Sequence, residues 1–119
     1  MNWKINISKM KKYKTVFSRY AEIDLIEILD YYQEMNPIYT QKILDRIEKR
    51  VEDLKEFPER GRVVPELERQ NIMNYRELIE ENYRIIYSIE SKTVIIHSIL
   101  DGRRNFEELL VRKFMNFYK

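Results

Sequence analysis

The hydrophobic period changes once along this chain, and that change restricts the fold more than any other feature. From Ser18 to about Phe57 apolar residues recur at helical spacing: Ala21, Leu25, Ile28, Leu29 and Tyr32, then Ile43, Leu44, Ile47, Val51 and Leu54. From Met73 to Leu100 the pattern breaks into short β-rich runs: Met73–Glu80, Tyr83–Ile89 and Thr93–Leu100. Glu81-Asn82 and Ser91-Lys92 fall between these runs, which suits two tight hairpins. An earlier run from Lys12 to Ser18, holding Val16 and Phe17, reads as one more strand.

Local signals set the boundaries. Ser18 is a suitable N-cap, with Glu22 and Asp24 early in the helix that follows. Asn36-Pro37 ends that helix and opens the next, so the two form a hairpin. Glu59 to Gln70, with Gly61 and Pro65, is expected to be a loop. Asp101-Gly102 closes the strands, and a last helix is expected from Asn105, with Phe106, Leu110, Phe114 and Phe117 on one side. The expected order is β-α-α-β-β-β-α: an α+β domain with an N-terminal strand, a helical hairpin, a three-stranded antiparallel meander and a C-terminal helix. Residues 1–11 form a basic N-terminal extension, and 12–119 a single domain.

Composition removes several classes of chemistry. The chain has 119 residues, no cysteine and one histidine, His97, so thiol nucleophiles, disulfides and Cys- or His-rich metal sites are excluded. No cofactor or metal is expected. With 44% hydrophobic residues and no long apolar run, the expectation is a soluble, cytoplasmic protein with no membrane partner. The net charge of +2 is unevenly spread: residues 1–19 are basic, the stretch to about 60 is acid-rich, and Arg103, Arg104, Arg112 and Lys113 make the end basic again. Either this is ordinary solvated charge, or the two ends address partners of opposite sign.

Strand alternation divides the meander into two faces. Tyr83, Ile85, Tyr87 and Ile89 fall beside Val94, Ile96, Ser98 and Leu100, a face apolar enough to lie on the helices. The opposite face takes Arg84, Ile86 and Ser88 beside Ile95, His97 and Ile99, with Tyr75, Glu77 and Ile79 on the neighbouring strand. A charged residue in a central strand requires a reason. Arg84 either pairs with Glu77 across the sheet or contacts an anionic ligand. Arg103 and Arg104 are either solvated turn residues or a phosphate clamp. On so aliphatic a face His97 is more often a packed histidine than a general base.

The segments YKTVFSRYAEIDLIEILDYY, MNP, FPERGRVVPEL, RELIEENYRIIYSI and VIIHSILDGRR, taken in order, resemble the RelE/ParE superfamily of type II toxins, also called plasmid-stabilisation proteins. The resemblance spans residues 13 to about 110. It implies a growth-arresting toxin neutralised by a cognate antitoxin, with operator DNA reached only through that antitoxin. It also implies one of two targets: the ribosome with its mRNA, cut by a RelE-like endoribonuclease, or DNA gyrase, inhibited without catalysis by a ParE-like member. Arg84 and Arg104 match the superfamily's basic positions. Tyr75 and Glu77 stand where the nuclease branch has lysines, and Leu110 stands near the position of its C-terminal tyrosine. Those departures favour the ParE-like branch. An inactive member kept as an antitoxin-binding or repressor module is the third reading. The candidate residues are thus Arg84, Arg103 and Arg104 for the target, and Arg84, Arg104, His97 and Tyr75 if the chain is a nuclease. Phe106, Leu110 and Phe114 are the candidates for the antitoxin.

Overall fold

The computed structural model describes residues 12–102. In chain order the elements are β1 (Lys14–Phe17), α1 (Arg19–Gln33), α2 (Pro37–Asp53), β2 (Arg62–Val63), α3 (Pro65–Glu68), β3 (Arg76–Glu80), β4 (Tyr83–Glu90) and β5 (Thr93–Asp101). The strands form one mixed sheet in the order β1-β5-β4-β3-β2. β1 runs parallel to β5, while the β2–β3, β3–β4 and β4–β5 pairs are antiparallel. The basic extension 1–11 and the expected helix from Asn105 lie outside the described residues.

Both helices start where their caps dictate. The Ser18 side chain accepts the Ala21 N–H, and the Asn36 side chain accepts the Tyr39 N–H, with Pro37 supplying the pre-set φ of a first helical residue. The hairpin turns fall at Glu81-Asn82 and Ser91-Lys92, with Glu81 (φ 53°) and Ser91 (φ 54°) in the left-handed region. That conformation is costly for a residue with a Cβ. Glu81 is held in place by the Tyr39 hydroxyl at 3.1 Å and by an ion pair to Arg46.

The hairpin α1–α2 covers one face of the sheet. Ala21, Ile43, Ile47, Val51 and Leu54 pack there on Leu78, Tyr83, Ile85, Tyr87, Val94, Ile96 and Ile99. A second, smaller cluster on the opposite face joins Val64, Leu67, Tyr75 and Ile86, with Ile72 and Leu100 against it. Simple alternation along β5 put Leu100 on the helices and Ile99 opposite, and the structure reverses both. A β-bulge sits where Ile86 pairs with Ser98 but Tyr87 pairs with Ile96, leaving His97 without an opposite residue. One extra residue flips the parity of everything after it.

The segment 59–70 also departs from the expected loop, because β2 and the one-turn helix α3 are built into it. Both elements are too short to leave a periodic signature. Buried Val64 and Leu67 anchor them to the sheet. The strand expected from Met73 begins instead at Arg76, and Met73 stays more than half exposed.

Candidate functional site

On the face away from the helical hairpin, α3 and β2 lie over β3 and β4, and charge organises their contact. The Arg84 guanidinium sends Nη1 and Nη2 to the two carboxylate oxygens of Glu66 at 2.6 and 2.7 Å. Its Nε donates to Glu77 Oε1 at 2.5 Å. The second oxygen of Glu77 accepts from Arg62 Nε at 2.8 Å. Glu77 is 1% exposed, and the two guanidiniums that meet it offset the cost of burying a carboxylate. The hydrogen bond from Arg84 holds the Glu66 carboxyl below its ordinary pKa, and Glu66 in turn raises that of Arg84. Two cations and two anions make a neutral group. The fork geometry of guanidinium on carboxylate explains why Arg84, rather than lysine, suits the position.

Next to this seam Gly61 meets Tyr87, whose ring belongs to the helix-side core. The Gly61 N–H donates to the Tyr87 hydroxyl oxygen at 2.9 Å, and that hydroxyl donates to the Pro58 carbonyl at 2.7 Å. A Cβ at residue 61 would stand 2.5 Å from the Glu77 carbonyl oxygen and 2.7 Å from Tyr87 Oη, so only glycine fits. Arg76 Nη1 donates to the Gly61 carbonyl at 2.7 Å. GRVVPEL and YRIIY, two separate stretches of sequence, are therefore two sides of one contact.

Of the candidate residues, Tyr75, Arg84 and His97 come to the same face of the sheet. Tyr75 is 7% exposed within the smaller cluster, and its ring meets the His97 ring edge-on at 5.1 Å. His97 Nε2 lies 2.7 Å from Ser88 Oγ, and burial depresses the imidazole's pKa, opposed by Glu90. At neutral pH the ring is uncharged. Arg103, Arg104, Phe106, Leu110 and Phe114 lie outside the described residues. Glu66, Arg62 and Ser88 escaped the sequence reading. Alternation had placed Ser88 on the face of His97 without joining them, and the Pro-Glu that opens α3 was the available signal for Glu66. Among the described residues no three His, Asp or Glu side chains converge as metal ligands do. No helix among them is long and apolar enough to cross a membrane.

The family model described as "ParE toxin of type II toxin-antitoxin system, parDE" matches residues 15–106. The chain belongs to this toxin family. The match contains every element of the seam, from GRVVPEL through YRIIY, and agrees with the ParE-like branch favoured by the departures at Tyr75 and Glu77. Among solved structures, the chromosomal ParDE system from P. aeruginosa aligns at TM-score 0.59 and 22% identity, over 75% of this chain and 95% of that one. The RelBE2 toxin–antitoxin complex from Mycobacterium tuberculosis aligns at TM-score 0.53 and 23% identity, over 74% and 95%. At such identities the likeness is one of fold. No curated protein matches the chain.

Proposed function

We propose that this chain is a toxin that arrests growth by binding DNA gyrase in the cytoplasm, without catalysing a reaction, and that a cognate antitoxin neutralises it. The observation that carries this reading is the engagement of Arg84 by both Glu66 and Glu77. Cleavage of mRNA needs uncompensated positive charge where the scissile phosphate becomes more negative. Here the one arginine that a central strand presents on this face already serves two carboxylates, one of them fully buried. His97, the nearest thing to a general base, is packed against Tyr75 and occupied by Ser88. The same residues make good sense as the rigid frame of a binding protein.

The test is DNA supercoiling by purified gyrase with and without this chain. Inhibition that antitoxin reverses is the expected result. Unaffected supercoiling at large toxin excess, together with new ribosome-dependent 5′ ends on a translated message, would overturn it in favour of the endoribonuclease.

A further inference from the structure

The two helices of the hairpin are used unequally. α2 buries Thr40, Ile43, Ile47 and Val51, and its four acids match its four basic residues. α1 has nine apolar residues among its fifteen, yet Ala21 alone is buried. A helix apolar around so much of its circumference is ordinarily covered on more than one side. Ala21, Leu25, Ile28 and Tyr32 pack toward the core. At 3.6 residues per turn, Tyr20, Ile23, Glu27, Asp30 and Tyr31 fall on the opposite side, with Ile26 beside them. Ile26 is 56% exposed and Tyr31 is 66% exposed. α1 thus turns apolar side chains to solvent as well as to the core.

Charge selects what can cover that outward face. Glu22, Asp24, Glu27 and Asp30 stand on α1 against Arg19 alone, and Glu34 follows at the C-cap. Asp24 turns inward, where its carboxylate accepts from Ser98 Oγ and the Ile99 N–H. Glu22, Glu27, Asp30 and Glu34 are exposed. Asp30 and Glu34 occupy the end of the helix where the dipole favours cations. Glu27, Asp30 and Glu34 follow one another at spacings of three and four, which sets like charges side by side. That placement does not stabilise the helix, but it suits a cationic partner. Nucleic acid and anionic lipid are repelled by it. A second copy docked face to face would bring the same carboxylates together. A surface rich in lysine and arginine fits both parts of the face: charged heads meet the carboxylates, and aliphatic stems lie on Tyr20, Ile23 and Ile26. An enzyme that handles duplex DNA carries such a surface, because it binds by neutralising phosphates.

We propose that the outward face of α1 seats the chain on gyrase, on the basic surface that otherwise holds DNA. The inference rests on the gyrase reading above and adds which face makes the contact and against what. Bound there, Glu27, Asp30 and Glu34 take the places of phosphates, and duplex DNA is excluded.

The experiment measures displacement of a fluorescent DNA duplex from purified gyrase by the full chain, alongside supercoiling. The native chain should displace the duplex over the same concentrations that stop supercoiling. Glu27→Lys with Asp30→Lys should raise the concentration needed about tenfold in both assays, since like charges then meet. Lysine suits the C-terminal half of a helix, so this variant should melt no lower than the native chain. Ile23→Ala with Ile26→Ala removes apolar cover without charge, and should raise the concentration about threefold. Asp45→Lys with Glu48→Lys makes the same change of charge on exposed positions of α2, and should inhibit as the native chain does. Supercoiling that stops while the duplex stays bound overturns the inference and leaves the gyrase reading standing. So does undiminished inhibition by the Glu27, Asp30 variant, and if that variant also loses antitoxin affinity the face belongs to the antitoxin. Inhibition that strengthens in the variant overturns it in favour of the chain's own basic residues 1–11 as the occupant. A dimer of the native chain that Ile23→Ala with Ile26→Ala abolishes overturns it in favour of a second copy. A native chain without effect on gyrase overturns both.

Discussion

On the helix side of the sheet, Ile47, Leu54, Ile85, Tyr87 and Ile96 are fully buried with no ionised group among them. On the other side four apolar residues form a smaller cluster, and a quartet of Arg62, Glu77, Arg84 and Glu66 closes the seam beside it. The first face is held by area removed from water, which is non-directional and tolerates substitutions of similar volume. The second depends on geometry. A buried carboxylate there needs both guanidiniums in place, and Gly61 leaves no room for another residue. The difference teaches that one sheet can be closed on one face by apolar area and on the other by charges that meet one another.

The largest expected effect lies on the apolar face. Ile47→Ala removes a fully buried side chain and should cost about 4 kcal/mol, with little dependence on salt. Denaturant titration at low and high ionic strength measures it. Arg84→Ala, on the other face, should cost about 3 kcal/mol, because Glu77 keeps only Arg62. Chemistry separates the two more sharply than size. The double replacement Glu77→Leu with Arg84→Met removes buried charge together with its partner, and should return stability to within about 1 kcal/mol of the native chain. No polar-for-apolar exchange repairs Ile47→Ala in the same way. If the double variant is as unstable as Arg84→Ala, the quartet contributes more than mutual compensation, and the contrast between the faces is wrong.

Gly61→Ala should follow at about 2 kcal/mol, since the added methyl must push the Glu77 carbonyl or the Tyr87 hydroxyl aside. It sharpens the comparison because the cost arises from close approach, as neither burial nor charge changes. Thermal melts of the single variant, and of Gly61→Ala with Tyr87→Phe, distinguish the two collisions. The second variant should recover part of the loss if the hydroxyl is the tighter constraint.

How much of this was legible in the sequence differs between the same two regions. The helical hairpin, both caps and both strand turns could be read, because 3.6-residue spacing and Asn36-Pro37 are strong local signals. Strand alternation also placed Glu77 and Arg84 on one face, with their pairing as one of two readings, and the structure shows the pair. The bulge at His97 did not, since Ile95, Ile96, Ile99 and Leu100 are apolar on both sides of it and a shift of parity leaves no trace. Nor did β2 and α3, whose two and four residues are shorter than any period. Glu66 was therefore hidden, and with it the reason Arg84 can sit in a central strand. Sequence pattern records local geometry well, but a bidentate contact between residues 66 and 84 belongs to the loop's path.

The smallest expected effect tests whether His97 belongs to the closed side of that division. Ser88, Tyr75 and Glu90 surround it, and burial outweighs Glu90 in lowering its pKa. The unfolded chain thus takes up a proton near pH 6.5 that the folded chain resists. Stability is fully present above that value and is lost as pH falls toward the depressed pKa of the folded state. Between pH 7 and pH 6 the loss is bounded at about 0.7 kcal/mol, the limit reached if the folded ring stays neutral throughout. Glu66 adds no slope in that window, because its lowered pKa acts only below the ordinary carboxylate value of 4.5. Denaturation midpoints at the two pH values should therefore differ slightly in the native chain and coincide in His97→Gln. A midpoint that rises on acidification would mean the folded imidazole is stabilised as a cation. His97 would then stand ready for an anion, and the face it shares with Arg84 would carry a second cation.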